Sequence, residues 1–281
     1  MMTQFVLDCI RKRILLLLVV VTALPLSAQR VGVSLSGGAA LGYAHLGFLQ
    51  AMDEAGMKPD YVTGTSMGAI IGLMYSAGYT PQQILQIVHE EHMDRALRLV
   101  RPSLGAKGGV SSTRHLQRVL LKYVPHNCFD SLPIAFSCCV SDMNHYVPRY
   151  IDSGSDLVQY VMASAAMPGV FAPVCIDSVY YFDGGAHDNL PVKPLLDAGC
   201  DVRIGVRLLI EQPHTPPSAK DLWLHFYSYC TYQTAYFTMD DFTDVVTIDP
   251  QGFWLMDFSH ADDLFQIGYE AGKTYFATHS R

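Results

Sequence analysis

The pentapeptide Gly64-Thr65-Ser66-Met67-Gly68 constrains this chain more than any other stretch. It joins the short run Asp60-Tyr61-Val62-Thr63 to the long apolar run Ala69-Ile70-Ile71-Gly72-Leu73-Met74-Tyr75. The pattern G-x-S-x-G sets a serine where a strand bends sharply into a helix. Such a bend crowds backbone atoms from both sides against the serine. The flanking positions then have little room for a Cβ, and glycine at 64 and 68 meets that need. In a chain with 22 glycines the same spacing can arise by chance, so its meaning depends on the surrounding sequence.

Upstream, the strand Val31–Leu35 feeds Ser36-Gly37-Gly38-Ala39, and a helix is predicted from Ala40 to Ala55. Backbone N–H groups in such a turn lack intrahelical partners and point at its occupant, either a phosphate or the oxyanion of acyl transfer. Gly37, Gly38 and Gly42 do not have dinucleotide-binding spacing, and no Lys-Ser/Thr pair makes a P-loop. After the elbow come a helix from Met67 to Ala77 and one from Pro81 to Asp94, the latter capped by Thr80. A Gly/Ser-rich loop over 101–112 borders the site entrance, followed by a helix from Thr113 to Tyr123. Strands are expected at Ile134–Val140 and Tyr146–Tyr150, then a helix over 156–165 capped by Ser155. The proline-interrupted apolar segment Met167–Val174 suits either the wall of an acyl-chain pocket or a packed core loop. The strand Ser178–Phe182 ends in Asp183-Gly184-Gly185, which puts the Asp183 carboxylate at the sheet's C-terminal edge. Beyond it lie a strand Asp201–Leu208, a proline-rich connection over 211–220, a helix Leu222–Phe237, a strand Asp244–Ile248 and an amphipathic helix Ala261–Ala277. The Tyr/Phe cluster from Phe226 to Phe237 reads as core. Strands alternating with helices give an α/β class with a mainly parallel sheet covered on both faces.

Residues 1–28 read as a signal peptide: basic Arg11, Lys12 and Arg13, an apolar run from Ile14 to Leu24, Pro25, then Leu26-Ser27-Ala28 before Gln29. The exported chain is then one domain over 29–281, with 211–281 a C-terminal part packed on it, and it is periplasmic or secreted. A retained N-terminal anchor is the alternative. The net charge is −7, and removing a leader of +2 leaves −9. Nucleic acid is excluded as a partner by that charge, and contact with a membrane surface must be transient and through apolar side chains. Six cysteines follow the leader without C-x-x-C spacing; most read as small buried hydrophobes, with one disulfide allowed. No metal-ligand cluster appears, so neither a metal nor a cofactor is expected.

A serine hydroxyl needs a base and an oxyanion site. Late histidines are present (His187, His214, His225, His260, His279), but none sits in a glycine-flanked strand-end setting, whereas Asp183 does. Four segments together resemble the patatin-like phospholipases, particularly bacterial members: Leu35–Gly47, Gly64–Gly68, Ala163–Phe171, and Asp183-Gly184-Gly185 with Asn189-Leu190-Pro191. The stretch Gly252–Gly272 adds to the likeness. The resemblance implies a three-layer α/β/α fold, Ser66 as nucleophile and Asp183 as its base. It also implies an oxyanion hole at Gly37, Gly38 and Ala39, and motif support from Gly42, Gly64, Gly68, Gly184 and Gly185. The implied reaction is acyl-ester cleavage of a phospholipid or other acyl lipid through an acyl-enzyme. A lysophospholipase, thioesterase or general carboxylesterase would use the same dyad; a catalytically weak lipid-binding envelope protein is the reading from another class. The chain departs from the family pattern at Leu41, where a basic residue is usual, and at Ala39, where the third glycine is usual. His45 reads as packed or surface, and Asp188 and Asn189 as organisers of their turn.

Overall fold

The computed structural model describes residues 29–95, 101–102, 111–209 and 219–279. The segment over 1–28 read above as a signal peptide, most of the loop over 101–112 and most of the connection over 211–220 lie outside them. In chain order the elements are β1 (Val31–Leu35), α1 (Tyr43–Glu54), β2 (Tyr61–Thr65), α2 (Met67–Ser76), α3 (Pro81–Glu90), β3 (Arg101–Pro102), β4 (Ser111–Ser112), α4 (Arg114–Tyr123), β5 (Ala135–Asp142) and β6 (Val147–Ile151). Then follow α5 (Leu157–Ser164), β7 (Val174–Ile176), β8 (Val179–Asp183), α6 (Lys193–Asp197), β9 (Val202–Leu208), α7 (Ala219–Thr234), β10 (Asp244–Ile248) and α8 (Ala261–Thr278).

The main sheet has the order β10-β9-β1-β2-β5-β8-β7, with β6 also paired to β5. From β10 to β5 every pairing is parallel. Strands β6, β8 and β7 join antiparallel. Parallel neighbours need crossovers, and the helices between β1, β2 and β5 supply them. Side chains alternate faces along a strand. Val62 belongs to the large core with α1, α2 and α8, while adjacent Tyr61 packs with Leu190, Leu195 and Phe242. The two clusters therefore cover opposite faces, giving three layers.

One expectation needs its reason corrected. Asp183 does reach the C-terminal edge of the parallel strands, but not as the end of a parallel strand. Thr65 pairs with Cys139, and β5 runs on through Val140, Ser141 and Asp142. Strand β8 descends antiparallel on that overhang, so that Asp183 pairs with Val140, one residue past the level of Thr65.

Two helix starts show how local chemistry works here. Thr80 caps α3 through a reciprocal pair, Gln83 N–H to Thr80 Oγ1 at 3.3 Å and Thr80 N–H to Gln83 Oε1 at 2.9 Å. Ser155 does not cap α5. The helix begins after Asp156, at φ 65°, and Asn127 Oδ1 takes the Val158 N–H at 2.7 Å.

The C-terminal helix α8 lies backbone-to-backbone on α1. A Cβ at Gly268 would stand 1.8 Å from the Ala44 carbonyl oxygen, and one at Gly47 would stand 1.9 Å from that of Phe265. Glycine is required at both positions for this approach. The six cysteines are all unpaired thiols, and only Cys138, Cys139 and Cys200 are buried. Among the described residues no helix is long and apolar enough to cross a membrane.

Candidate active site

The elbow is built by β2 and α2. Ser66 takes φ 54° and ψ −121°, a conformation that costs a non-glycine residue on the order of 1–3 kcal/mol. Its neighbours show why the turn can be so tight. A Cβ on Gly64 would lie 2.5 Å from the Gly68 carbonyl, and one on Gly68 would lie 2.2 Å from the Leu35 carbonyl oxygen. The bend is anchored by Ser164 of α5, whose Oγ accepts the Ser66 N–H at 2.9 Å. Ser164 lies in a segment that resembles the family, but its contact with the elbow crosses 98 residues and left no local signal.

Asp183 is buried, and its Oδ1 accepts the Gly185 N–H at 2.9 Å. Desolvation raises its pKa from 3.8 to about 6; the Gly185 N–H and the nearby Ser66 and Tyr227 hydroxyls oppose the rise. Gly184 packs on the Cys139 carbonyl, which seats the turn against β5. Thr234 of α7 clamps it from outside, donating to Gly185 O at 2.9 Å.

The Gly37–Ala39 turn stands beside the serine. A Cβ on Gly37 would come within 3.1 Å of Ser66 Cβ. The three expected oxyanion donors are not equivalent. Gly37 N–H is already engaged, donating to Asn189 O at 3.3 Å and Asn189 Oδ1 at 3.2 Å. Gly38 and Ala39 N–H have no acceptor among the described residues, which makes them the open donors of the turn. Asn189 thus does more than organise its own turn: it ties the strand-end loop after Asp183 to the glycine turn and lines the pocket. Gly42 lies under Met67, where a Cβ would meet Met67 Cγ at 2.3 Å. Ala39 has φ 47°, in the left-handed region that favours glycine. Ala39→Gly should therefore gain up to about 1 kcal/mol once the entropy of glycine is deducted; the midpoint of urea unfolding is the check.

Leu41 is buried in the main core and does not line the pocket. The position where the resemblance leads one to expect a basic residue therefore contributes no charge to this cavity and no gap in it. His45 is buried beneath the turn and donates Nε2–H to the Ser36 carbonyl at 2.8 Å; burial pushes its pKa down to about 4, so it is neutral. His187 bonds Ser141 Oγ through Nδ1 at 2.8 Å and does not line the pocket. Asp188 is pushed up to about 6 by burial, and it accepts the Tyr150 hydroxyl at 2.7 Å.

Ser66, Asp183 and the turn open into one apolar cavity. Met167, Val170 and Phe171 line it, so the segment Met167–Val174 forms a pocket wall. Thr113 and Leu116, just after the loop over 101–112, line it too, as do Leu255, Met256 and Phe258. Five methionines (67, 93, 162, 167 and 256) give walls that adapt to flexible apolar chains. The reading of Phe226–Phe237 as core is corrected: Tyr227 and Thr231 line the pocket, while Phe226, Tyr229, Tyr236 and Phe237 face solvent. A 3.6-residue period in a run with aromatics on every side cannot tell a pocket face from a core face. Among the described residues no group of three or more His, Cys, Asp or Glu side chains could hold a metal ion.

Residues 33–196 match the sequence pattern of the patatin-like phospholipases. The chain belongs to the patatin-like phospholipase family. Among its relatives is the lysophospholipase nte1 of Aspergillus fumigatus, 27% identical over 283 aligned residues that cover 89% of this chain and 18% of that protein. An NTE family protein of Mycobacterium bovis is 32% identical, over 65% of this chain and 50% of its own length. This patatin-like chain thus spans half or less of the length of these relatives. In fold it is similar to VipD from Legionella pneumophila, with a TM-score of 0.52 at 14% identity, covering 90% of this chain and 67% of that one.

Proposed function

We propose that this patatin-like protein is a lipid acyl hydrolase working through a Ser66–Asp183 dyad. One observation carries the reading: a serine on a strained elbow faces a desolvated carboxylate in an apolar cavity that also receives two open backbone N–H groups. Asp183 takes the Ser66 proton as Oγ attacks the acyl carbonyl. Gly38 and Ala39 N–H, with the N-terminus of α2, receive the developing oxyanion. As the tetrahedral adduct collapses, the ester C–O bond breaks and Asp183-H protonates the leaving alcohol. Water then attacks the acyl-Ser66 ester, Asp183 accepting its proton; as this second adduct collapses the acyl bond to Ser66 Oγ breaks, Asp183 returns the proton to Oγ, and fatty acid leaves. A carboxylate with a pKa near 6 is a better base than an ordinary aspartate and is still ionised at neutral pH.

The substrate is an acyl ester of a phospholipid or related lipid, met at a membrane surface by exposed apolar side chains. The name of the Aspergillus relative favours a monoacyl phospholipid as the second reading. Acyl release from diacyl lipid, monoacyl lipid and a short p-nitrophenyl ester, by wild type and Ser66→Ala, tests this directly. Release from none of them by folded wild type sinks the hydrolase reading. Export through the leader over 1–28 is part of the same proposal. Secreted or periplasmic protein should begin at Gln29 by N-terminal sequencing; a mature chain beginning at Met1 refutes it.

A further inference from the structure

A carboxylate that serves as a base must hold one oxygen toward its proton donor. The terminal torsion of aspartate is broad, so a single hydrogen bond leaves that orientation loosely set. In Asp183, Gly185 N–H holds Oδ1. Besides the Ser66 hydroxyl, the remaining donor beside the carboxylate comes from α7, an element beyond the stretch that matches the family. Tyr227 lines the pocket, and its hydroxyl lies near enough to Asp183 to favour the ionised carboxylate. The hydroxyl oxygen is fully buried, yet no group among the described residues meets it at hydrogen-bonding geometry. A phenylalanine would fill the same space without stranding a buried polar atom, so the hydroxyl calls for an explanation. The bond from Thr234 to Gly185 O ties the same helix to the aspartate turn.

We propose that Tyr227 is a positioning residue for the dyad: its buried hydroxyl, unpartnered among the described residues in the resting structure, turns to become a donor to the Asp183 carboxylate during the reaction and fixes the oxygen that faces Ser66. The inference rests on the hydrolase reading above. The other groups packed around Asp183 leave room for this role. Cys139 of β5 is buried with its thiol pushed far up by desolvation, and so is neutral. Cys230 lies beside Tyr227 on α7. Asp188, from the following turn, acts on Cys139 and titrates in the same range as Asp183, but its carboxylate is held by Tyr150 and the Leu190 N–H.

The test is the rate of fluorophosphonate labelling of Ser66 against pH, in the full chain. Tyr227→Phe removes one oxygen and leaves the ring. Labelling should slow about tenfold at its plateau, the size of one positioning hydrogen bond. Its acidic limb should move to higher pH, because a donor that favours the charged carboxylate is gone. Thermal unfolding should occur at the same or a higher temperature, which excludes misfolding as the cause. Tyr150→Phe is the control for Asp188 and should leave the limb in place. Unchanged rate and limb in Y227F, with wild type labelled normally, overturn this inference alone. So does a limb that moves with Y150F and not with Y227F. A folded wild type that takes no label overturns the hydrolase reading and this inference with it.

Discussion

Ser66→Ala should give a folded chain that takes no fluorophosphonate label and releases fatty acid about 10⁴- to 10⁶-fold more slowly than wild type. Nothing else in the pocket can replace Oγ. The other hydroxyls lining the pocket, those of Thr113, Tyr227, Ser228 and Thr231, and the Asn189 amide do not sit on the elbow. The fold should hold because the elbow's supports are retained: the backbone bond from residue 66 to Ser164 Oγ and the glycine pair that closes the bend. Alanine keeps the strained backbone at φ 54°. Ser66→Gly should be equally inactive but more stable, by about 1–3 kcal/mol before the entropy of glycine is deducted. Chemical denaturation of the two variants beside wild type separates catalysis from folding. Turnover in S66A above about 1% of wild type would move the nucleophile elsewhere.

Asp183→Asn should reduce turnover by roughly 10³- to 10⁴-fold, the scale seen when a catalytic carboxylate becomes an amide. It should also raise stability at neutral pH. Burial lifts the Asp183 pKa from 3.8 to about 6 in the folded chain. Below pH 3.8 the carboxyl is protonated in both states and no penalty arises. As pH rises from there, the unfolded chain ionises while the folded one resists, and stability falls until the folded group also ionises near pH 6. Two pKa units correspond to about 3 kcal/mol. D183N does not titrate, so its advantage over wild type should be small near pH 4 and should approach that size above pH 7. Asp188 titrates in both proteins and cancels in the comparison. Equal stability at both pH values would show that the carboxylate is well solvated. Near-normal turnover would return attention to the histidines.

Much of the candidate site is legible in the sequence. Ser66, Gly37, Gly38 and Asp183 stand in short segments where backbone demands glycine or chain reversal, and such demands are written locally. The fold class followed from strand–helix alternation. Less legible were contacts made across the chain. Asn189 reaches Gly37 over 152 residues and Ser164 reaches Ser66 over 98, and neither pairing has a sequence period. The direction of β8 was hidden too, since a strand's sequence does not tell parallel from antiparallel when both faces are covered. The usual donor set also changes in three dimensions. Gly37 looks like a free donor in sequence, but its N–H is already spoken for by Asn189.

The boundary of the family match has an evolutionary consequence. Ser66, Asp183 and the glycine turn all fall within residues 33–196, or a few positions inside its edges, while Tyr227, Thr231, Leu255, Met256 and Phe258 fall beyond it. The proposed dyad with its glycine turn and the far half of the cavity are therefore encoded separately along the chain, Tyr227 being the link between them. Mutations at Leu255, Met256 and Phe258 can then retune which tails enter while leaving Ser66, Asp183 and Tyr227 in place. Chimeras exchanging the stretch from Pro250 onward between relatives should inherit chain-length preference from the donor and reaction chemistry from the recipient.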